Sequence, residues 1–384
     1  MNPIGPPQRR ATRLVFLAAG LAMAAWAPLV PYAKVRLGLS EGTLGLLLLC
    51  LGAGSLLAMP LTGALAARFG CRRVILASGA LLSLALPGLA LAASPVQLGL
   101  VLLLFGAAIG TFDVCINIQA VIIEKAGGGA LMSGFHALFS VGGFAGAGLM
   151  ALLLWLRLDP AWACAAIVAL LAALLRAASG HLLRDAEPDG RAAPLFVMPH
   201  GSVIVIGLLC FIVFLAEGSI LDWSALFLTG SRGVDAARGG LAYAAFAIAM
   251  TAGRFSGDYI VRRFGGQRVL LAGGLCGAAG FFLTVLAPSV AGSLAGFVLI
   301  GLGAANIVPI LFTAAGKQRA MPASLAVSAI TTLGYAGILA GPAVIGFVAH
   351  ATSLSMAFAG LGCALLLVAA SARIGAPAGS GPGG

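Results

Sequence analysis

The sequence predicts an all-α polytopic membrane protein, with twelve transmembrane helices arranged as two parallel six-helix repeats. Three observations carry this expectation. Only 9% of the 384 residues are charged and 61% are hydrophobic, against about 25% charged in a soluble domain. Such a chain has too little polar surface to cover a globule in water. Its apolar segments approach ~20 residues, the length that crosses about 30 Å of hydrocarbon, rather than the ~10-residue alternation of a membrane β-barrel. Finally, the chain repeats itself at a single offset.

Apolar runs bounded by polar or glycine-rich breaks give the expected spans in order: 14–34, 43–66, 74–93, 97–123, 131–155, 160–179, 203–228, 239–261, 269–287, 291–315, 323–349 and 352–372. The first begins behind Arg9, Arg10 and Arg13 and passes small residues at Ala22–Ala25, as a signal peptide does. With so many spans following, it reads as a helix that is retained. One long polar stretch, HLLRDAEPDGRAAPLFVMPHG, interrupts the series. The expected organisation is therefore a six-helix half at 1–180, a cytoplasmic linker at 181–202, a second half at 203–373 and a flexible tail at 374–384.

At an offset of 195 residues, RFGCRRVILA (68–77) lies over RFGGQRVLLA (263–272). The same offset pairs Gly38 with Gly233, Gly45 with Gly240, Gly79 with Gly274 and Gly106 with Gly301. It also pairs Ser133 with Ser328, Gly142 with Gly337 and Gly146 with Gly341. An even number of spans per repeat makes the halves parallel, the plan of a rocking carrier with its site near the midplane.

The net charge is +11, and its placement gives the orientation. With the N-terminus inside, seventeen of the 22 Lys and Arg residues fall on the cytoplasmic side; Lys34, Arg36, Arg157, Arg232 and Arg238 fall on the other. The positive-inside rule then puts both termini in the cytoplasm and accounts for the basic charge without nucleic acid. The seven cysteines form no CxxC or Cys/His cluster, so no disulfide framework, metal site or cofactor is expected. Neither HExxH, GxSxG nor a P-loop occurs, which argues against an enzyme or an ATP-driven pump.

GALAARFGCRR (63–73) resembles the loop signature between helices 2 and 3 of the major facilitator superfamily, G-x-x-x-D-R-x-G-x-R-R. Gly63, Arg68, Gly70, Arg72 and Arg73 match, and Ala67 stands where the signature has its acid. GRFSGDYIVRRFGGQR (253–268) is similar to the second-half counterpart and keeps an acid, Asp258. LGLSEGTLGLLLL (37–49), DVCINIQAV (113–121), MSGFHALFSVGG (132–143) and AEGSILDWSALFL (216–228) resemble the MosC-like group, which includes YbjJ-type inner-membrane proteins. The resemblance implies the major facilitator fold, a bacterial inner-membrane location and a cavity lined by helices 1, 4, 7 and 10. It also implies a cytoplasmic gate built from Arg68, Arg72, Arg73, Arg254, Asp258, Arg262 and Arg263. MosC itself is associated with rhizopine, an inositol-derived compound. Arg254 and Asp258 are four apart, so they can pair on one helix turn; setting topology is the alternative role for these arginines.

Only three of the eleven acids lie deep in spans: Asp113, Glu217 and Asp222. Each costs roughly 2.5–3.5 kcal/mol at the bilayer centre on insertion scales, so each calls for a protein or water neighbour. Asp113, Asn117 and Glu124 share one face of the fourth span, a stripe of about 16 Å. That stripe is either a substrate or proton path or a set of interhelical hydrogen bonds. Glu217 and Asp222 are roughly 140° apart on the seventh span. Glu217 is expected to face a cavity and Asp222 to tie the helix to a neighbour. Local unwinding at Gly218 is a route by which both reach the cavity. Trp26 and Asn306 complete a set with one polar or aromatic residue near the middle of each helix that the resemblance assigns to the cavity. For Trp26 the alternative is interface packing, and for Asn306 bonding between helices. His136 either pairs with Glu124 as a pH-sensitive latch or is simply packed. Gly142, Gly143, Gly146 and Gly148 are expected to permit close helix contact.

An acid, an amide and an aromatic ring suit a hydroxyl-rich solute, and tuned acids carry protons reversibly. The expected function is secondary transport of a sugar, polyol or inositol-like solute with protons, by one monomer in the bilayer. A drug or metabolite exporter of the same fold is the alternative.

Overall fold

The computed structural model describes residues 4–184, 197–235 and 238–375, and all its regular elements are helical. Most of the expected linker, with Asp185, Glu187, Asp189 and Arg191, lies outside the described residues, as does most of the tail. Among the described residues, ten helical stretches are long and apolar enough to cross a membrane. Two more complete the twelve. Leu354–Ala370 is apolar but only 17 residues long. Leu241–Phe264 has the length, at 24 residues, but carries Arg254, Asp258, Arg262 and Arg263.

The first unit holds α1 (Pro6–Ala24), a 3-10 turn (Ala27–Leu29), α2 (Val30–Leu37), α3 (Glu41–Phe69), α4 (Cys71–Leu91), α5 (Pro95–Gly127), most of α6 (Met132–Trp155) and α7 (Pro160–Ser179). It also takes in residues 321–329. Within it α5 packs against α3, α4 and α1, and α7 against α1 and α4. The second unit holds α8 (Ser202–Arg232), α9 (Leu241–Phe264), α10 (Gly266–Leu286), α11 (Val290–Ala304), α12 (Ile307–Lys317), most of α13 (Ala323–Ala351), α14 (Leu354–Ala370) and α15 (Ala372–Gly375), with residues 129–134. There α11 packs against α9 and α10, α12 against α8, and α14 against α8 and α10. The packing order of one unit is the packing order of the other.

The repeat extends to backbone detail. Gly70 caps the end of α3 and the start of α4 at φ 80°, ψ 152°; Gly265 does the same between α9 and α10 at φ 81°, ψ 148°. Only glycine occupies that region without strain, which explains why RFG recurs in both loops. A Cβ on Gly106 would overlap the Leu51 carbonyl, and one on Gly301 the Phe246 carbonyl. Gly142 and Gly146 hold α6 against Leu17 and Leu21 of α1 in the same way, whereas Gly143 and Gly148 face open space. Of the four expected contact glycines in that helix, two are therefore needed for close approach.

Each unit also closes a helix end with an arginine. Arg36 donates to the Leu89 carbonyl at 3.0 Å and to the Ala90 carbonyl. Arg232 donates to the carbonyls of Thr284 at 2.9 Å and Val285 at 2.8 Å, and to Ser293 Oγ at 2.9 Å. The carbonyl pairs 89–90 and 284–285 again differ by the repeat offset. These last-turn carbonyls have no intrahelical partner, and a cation suits the negative end of the helix dipole. The sequence had marked both arginines only as outer-side charges.

Three expectations change. The first and tenth spans are interrupted rather than continuous. α1 ends at Ala24, four residues before Pro28, and α11 ends at Ala304, just before Ala305, which lies four residues ahead of Pro309. A proline lacks its N–H and crowds the carbonyl four residues back. Conversely, α8 runs unbroken from Ser202 to Arg232, so Gly218 does not unwind it. Gly218 instead receives Ile338, which a Cβ would meet at 3.3 Å.

Candidate functional site

In the first unit the polar residues of α5 face two ways. Asp113, Asn117 and Glu124 are buried on the expected stripe. Asn117 Nδ2 donates to the Asp113 carbonyl at 2.9 Å and approaches Asp113 Oδ1 at 3.4 Å. Asn117 is 1% exposed, and its Oδ1 accepts nothing from the protein. A buried acceptor left open in this way is one that a ligand or water satisfies at low cost. Gln119, two positions on and so roughly 200° round the helix, is fully buried. It donates to Thr12 Oγ1 on α1 at 3.0 Å and accepts from the Leu183 N–H at 3.1 Å. Sequence reasoning passed over Gln119 because it falls off the stripe, although an amide inside a span is itself a signal for interhelical bonding.

Trp26 is buried where α1 ends, and its Nε1 donates to no protein group. Thr12 and Gln119 fix the register of α1 on α5. At 1.5 Å per residue, Trp26 lies roughly 21 Å along α1 from that level and Asp113 roughly 9 Å along α5. The two are thus about 12 Å apart in depth rather than together at mid-membrane. His136 packs edge-on to Phe16 at 5.3 Å. Arg68 and Arg73 are exposed and Arg72 half-buried; Arg68 lies 5.4 Å from the centre of the Phe69 ring.

The second unit joins opposite charges. Arg254 Nη2 on α9 approaches Glu217 Oε1 on α8 at 3.9 Å, the side chains being 8% and 18% exposed. This relocates Arg254: the sequence placed it with the loop arginines of the gate, and it lies inside the unit, directed at Glu217. Tyr243, three turns from Arg254 on the same face of α9, is within electrostatic reach of both charges. That eleven-residue spacing was readable but unused. Asn306 sits at the interruption between α11 and α12 and donates from Nδ2 to the Gly253 carbonyl at 3.2 Å. Ser224, which aligns with Glu217 on α8, is fully buried, and its hydroxyl meets no partner.

Asp222 differs from expectation. It is exposed on α8 and makes no ion pair or hydrogen bond among the described residues, so it ties α8 to nothing. The 140° between it and Glu217 separates an open carboxylate from an enclosed one. At the end of α9, Asp258 Oδ2 accepts from the Gly134 N–H at 3.2 Å and Arg262 donates to the Ala130 carbonyl at 2.9 Å. Arg263 is exposed beside Phe264. Among the described residues no three His, Cys, Asp or Glu side chains converge as a metal site would require.

The arrangement offers no nucleophile–base geometry. It offers a half-buried carboxylate facing a buried guanidinium, and several buried polar atoms without a protein partner among the described residues. The profile of the Major Facilitator Superfamily matches residues 14–324. The chain is 59% identical to an uncharacterised MFS-type transporter of Yersinia pestis over 371 residues, covering 96% of each chain. It is 34% identical to the membrane protein MosC of Rhizobium meliloti over 358 residues, covering 92% of this chain and 85% of that one. Its fold is similar to that of the E. coli fucose:proton symporter FucP, with a TM-score of 0.79 and 15% identity, covering 96% of this chain and 98% of that one.

Proposed function

Because the chain belongs to the major facilitator superfamily and to its MosC-like group, and so is a membrane transporter of small molecules, we propose that it moves a small polar solute coupled to protons. The observation that carries this reading is the Glu217–Arg254 pair. An ion pair in a membrane span costs desolvation that its mutual attraction only partly offsets, so it is retained for use. A proton on Glu217 cancels the carboxylate charge and releases Arg254. Loss of that proton restores the pair. Alternating access with Glu217 as the proton carrier follows from that two-state element. In the first unit Asn117 and Asp113, with Trp26 about 12 Å further along, and in the second unit Asn306, are the open or partly used polar groups offered to a sugar, polyol or inositol-like solute. Glu124 and His136 serve the inner end of the same path.

In this reading Asp258 and Arg262, with Arg68, Arg72, Arg73 and Arg263, form the cytoplasmic gate. The bonds of Asp258 to Gly134 and of Arg262 to Ala130 support it. Arg254 leaves the gate and joins the coupling pair. The protein acts as a monomer in the bacterial inner membrane with both termini inside, as the lysine and arginine distribution supports.

Asp222 favours a second reading. A free carboxylate on an accessible helix face attracts an amphipathic cation, which suits an exporter. One experiment addresses both. Purified protein is placed in proteoliposomes with an internal pH dye and offered sugars, polyols, inositols and cationic drugs. Solute-driven proton flux that Glu217→Gln abolishes while solute exchange survives is the expected result. Flux that is unchanged in Glu217→Gln removes Glu217 as the carrier. Flux driven only by cations and lost in Asp222→Asn establishes the exporter.

A further inference from the structure

The second unit contains a groove of about 400 Å³ between α9, α10 and α11, within the ~300–1,000 Å³ range of small-molecule sites. Its two ends differ chemically. At the mouth, in the first turn of α10 and three residues past the Gly265 turn, stands the exposed guanidinium of Arg268. From there the groove follows α10 to Cys276, about 12 Å at 1.5 Å per residue. Its walls are apolar: Ile260 and Phe264 of α9, Val269 and Ala272 of α10, and Leu302 of α11. Gly273 and Gly303 close the base by backbone contact, since a Cβ on Gly273 would fall 2.6 Å from the Gly303 carbonyl.

Asn306 ends the groove, but its amide is turned to α9. Nδ2 bonds the Gly253 carbonyl, and Oδ1 lies where a Cβ of Gly257 would stand. Both amide atoms thus face Gly253 and Gly257 of α9, which do not line the groove. Phe264, Ala272 and Leu302 are exposed although they belong to membrane-spanning helices, and Glu217, Arg254 and Tyr243 do not line the groove. Arg263, adjacent to Phe264 in the same turn, adds a second cation near the mouth, and no acid lines the groove among the described residues.

We propose that this groove is a binding site for an anionic phospholipid, with one acyl chain along the α10 trough and the phosphate on Arg268. Charge complementarity selects an anionic head, and the trough selects a chain over a free anion. Basic pockets beside transmembrane helices hold lipid head groups on the same principle. The site does not depend on the transport reading.

The test uses the full-length protein in detergent, titrated with phosphatidylglycerol, with phosphatidylcholine of identical chains, and with inorganic phosphate. Bound lipid is counted by native mass spectrometry. One phosphatidylglycerol should bind in preference to phosphatidylcholine. Arg268→Gln should weaken that binding about fivefold, the worth of one interfacial cation. Ala272→Phe, which fills the trough from an exposed position, should abolish it with the thermal midpoint unchanged. Equal binding of the two lipids, or wild-type binding by both variants, overturns the proposal. So does displacement of phosphatidylglycerol by inorganic phosphate with Ala272→Phe silent, which would make the site one for a free anion.

Discussion

The two units share a frame and differ in chemistry. At the repeat offset, Glu217 corresponds to Ala22, Arg254 to Met59, Asp258 to Gly63 and Asn306 to Thr111. The turn glycines and the close helix crossings recur at equivalent positions, and the arginine clamps hold equivalent carbonyls from positions one residue out of register. The charged pair does not recur: it joins α8 and α9, where the equivalent residues of the first unit are Ala22 and Met59. At the ends of α3 and α9 the substitution is direct. Gly63 is packed against Ser324 and Ser328, while Asp258 in its place accepts from the Gly134 N–H. The first unit instead buries neutral amides, Asn117 and Gln119, on α5. A duplicated scaffold thus carries a close acid–arginine pair in one unit and, in the other, buried amides beside the acids Asp113 and Glu124. Fixing the frame by backbone contact leaves the interior positions free to diverge.

The sharpest way to break this comparison is to remove one member of the charged pair. Glu217→Ala leaves Arg254 buried without its counter-charge and should cost about 3–5 kcal/mol. Glu217→Ala with Arg254→Met should recover most of that loss in a thermal-unfolding assay. Failure to recover would mean the pair is not a stability unit. Next come the clamps, which should behave alike in the two units if the frame is truly shared. Arg36→Ala and Arg232→Ala each remove charged hydrogen bonds worth about 1.5–3 kcal/mol. Arg232→Ala should be the larger, because Arg232 also bonds Ser293 and lies 4.9 Å from the centre of the Phe227 ring. A null effect in one unit alone would confine the clamp to the other.

A neutral tie should be weaker still and should leave coupling untouched. Gln119→Leu orphans the Leu183 N–H and removes the donor to Thr12 Oγ1, which keeps its own bond to the Gln8 carbonyl; the cost is about 1–3 kcal/mol, read as a lower thermal midpoint with unchanged proton flux per folded protein. Any selective loss of flux would move Gln119 into the transport machinery. Smallest of all, Asp222→Asn should alter stability by no more than about 0.5 kcal/mol, since the carboxylate makes no bond. A larger drop would reveal a partner for it.

How far the sequence could be read follows from what kind of force sets each feature. Span length, repeat offset and the RFG turns are local or periodic, so composition and spacing expose them. The proline interruptions at Pro28 and Pro309 were legible in principle, but Pro60, Pro87 and Pro342 sit inside helices that continue; the break depends on neighbours, not on the proline alone. Among the candidate residues, burial of Asp113, Asn117 and Asn306 and half-burial of Glu217 follow from their rarity in apolar runs. The partner of Glu217 does not, because Arg254 is 37 residues away on another helix and looks like one more basic residue of a loop signature. Asp222 misled for the opposite reason: an acid in a span implies a neighbour, and this one bonds none among the described residues.

The clamps carry a consequence for biosynthesis. Arg36 must wait for carbonyls 53 and 54 residues later, and Arg232 for carbonyls 52 and 53 residues later. At about 5–20 residues per second of synthesis, each guanidinium waits roughly 3–10 s before its acceptors exist. The end of the first helix in each unit is therefore the last part of its neighbourhood to become fixed. The same delay is imposed twice in the making of one chain.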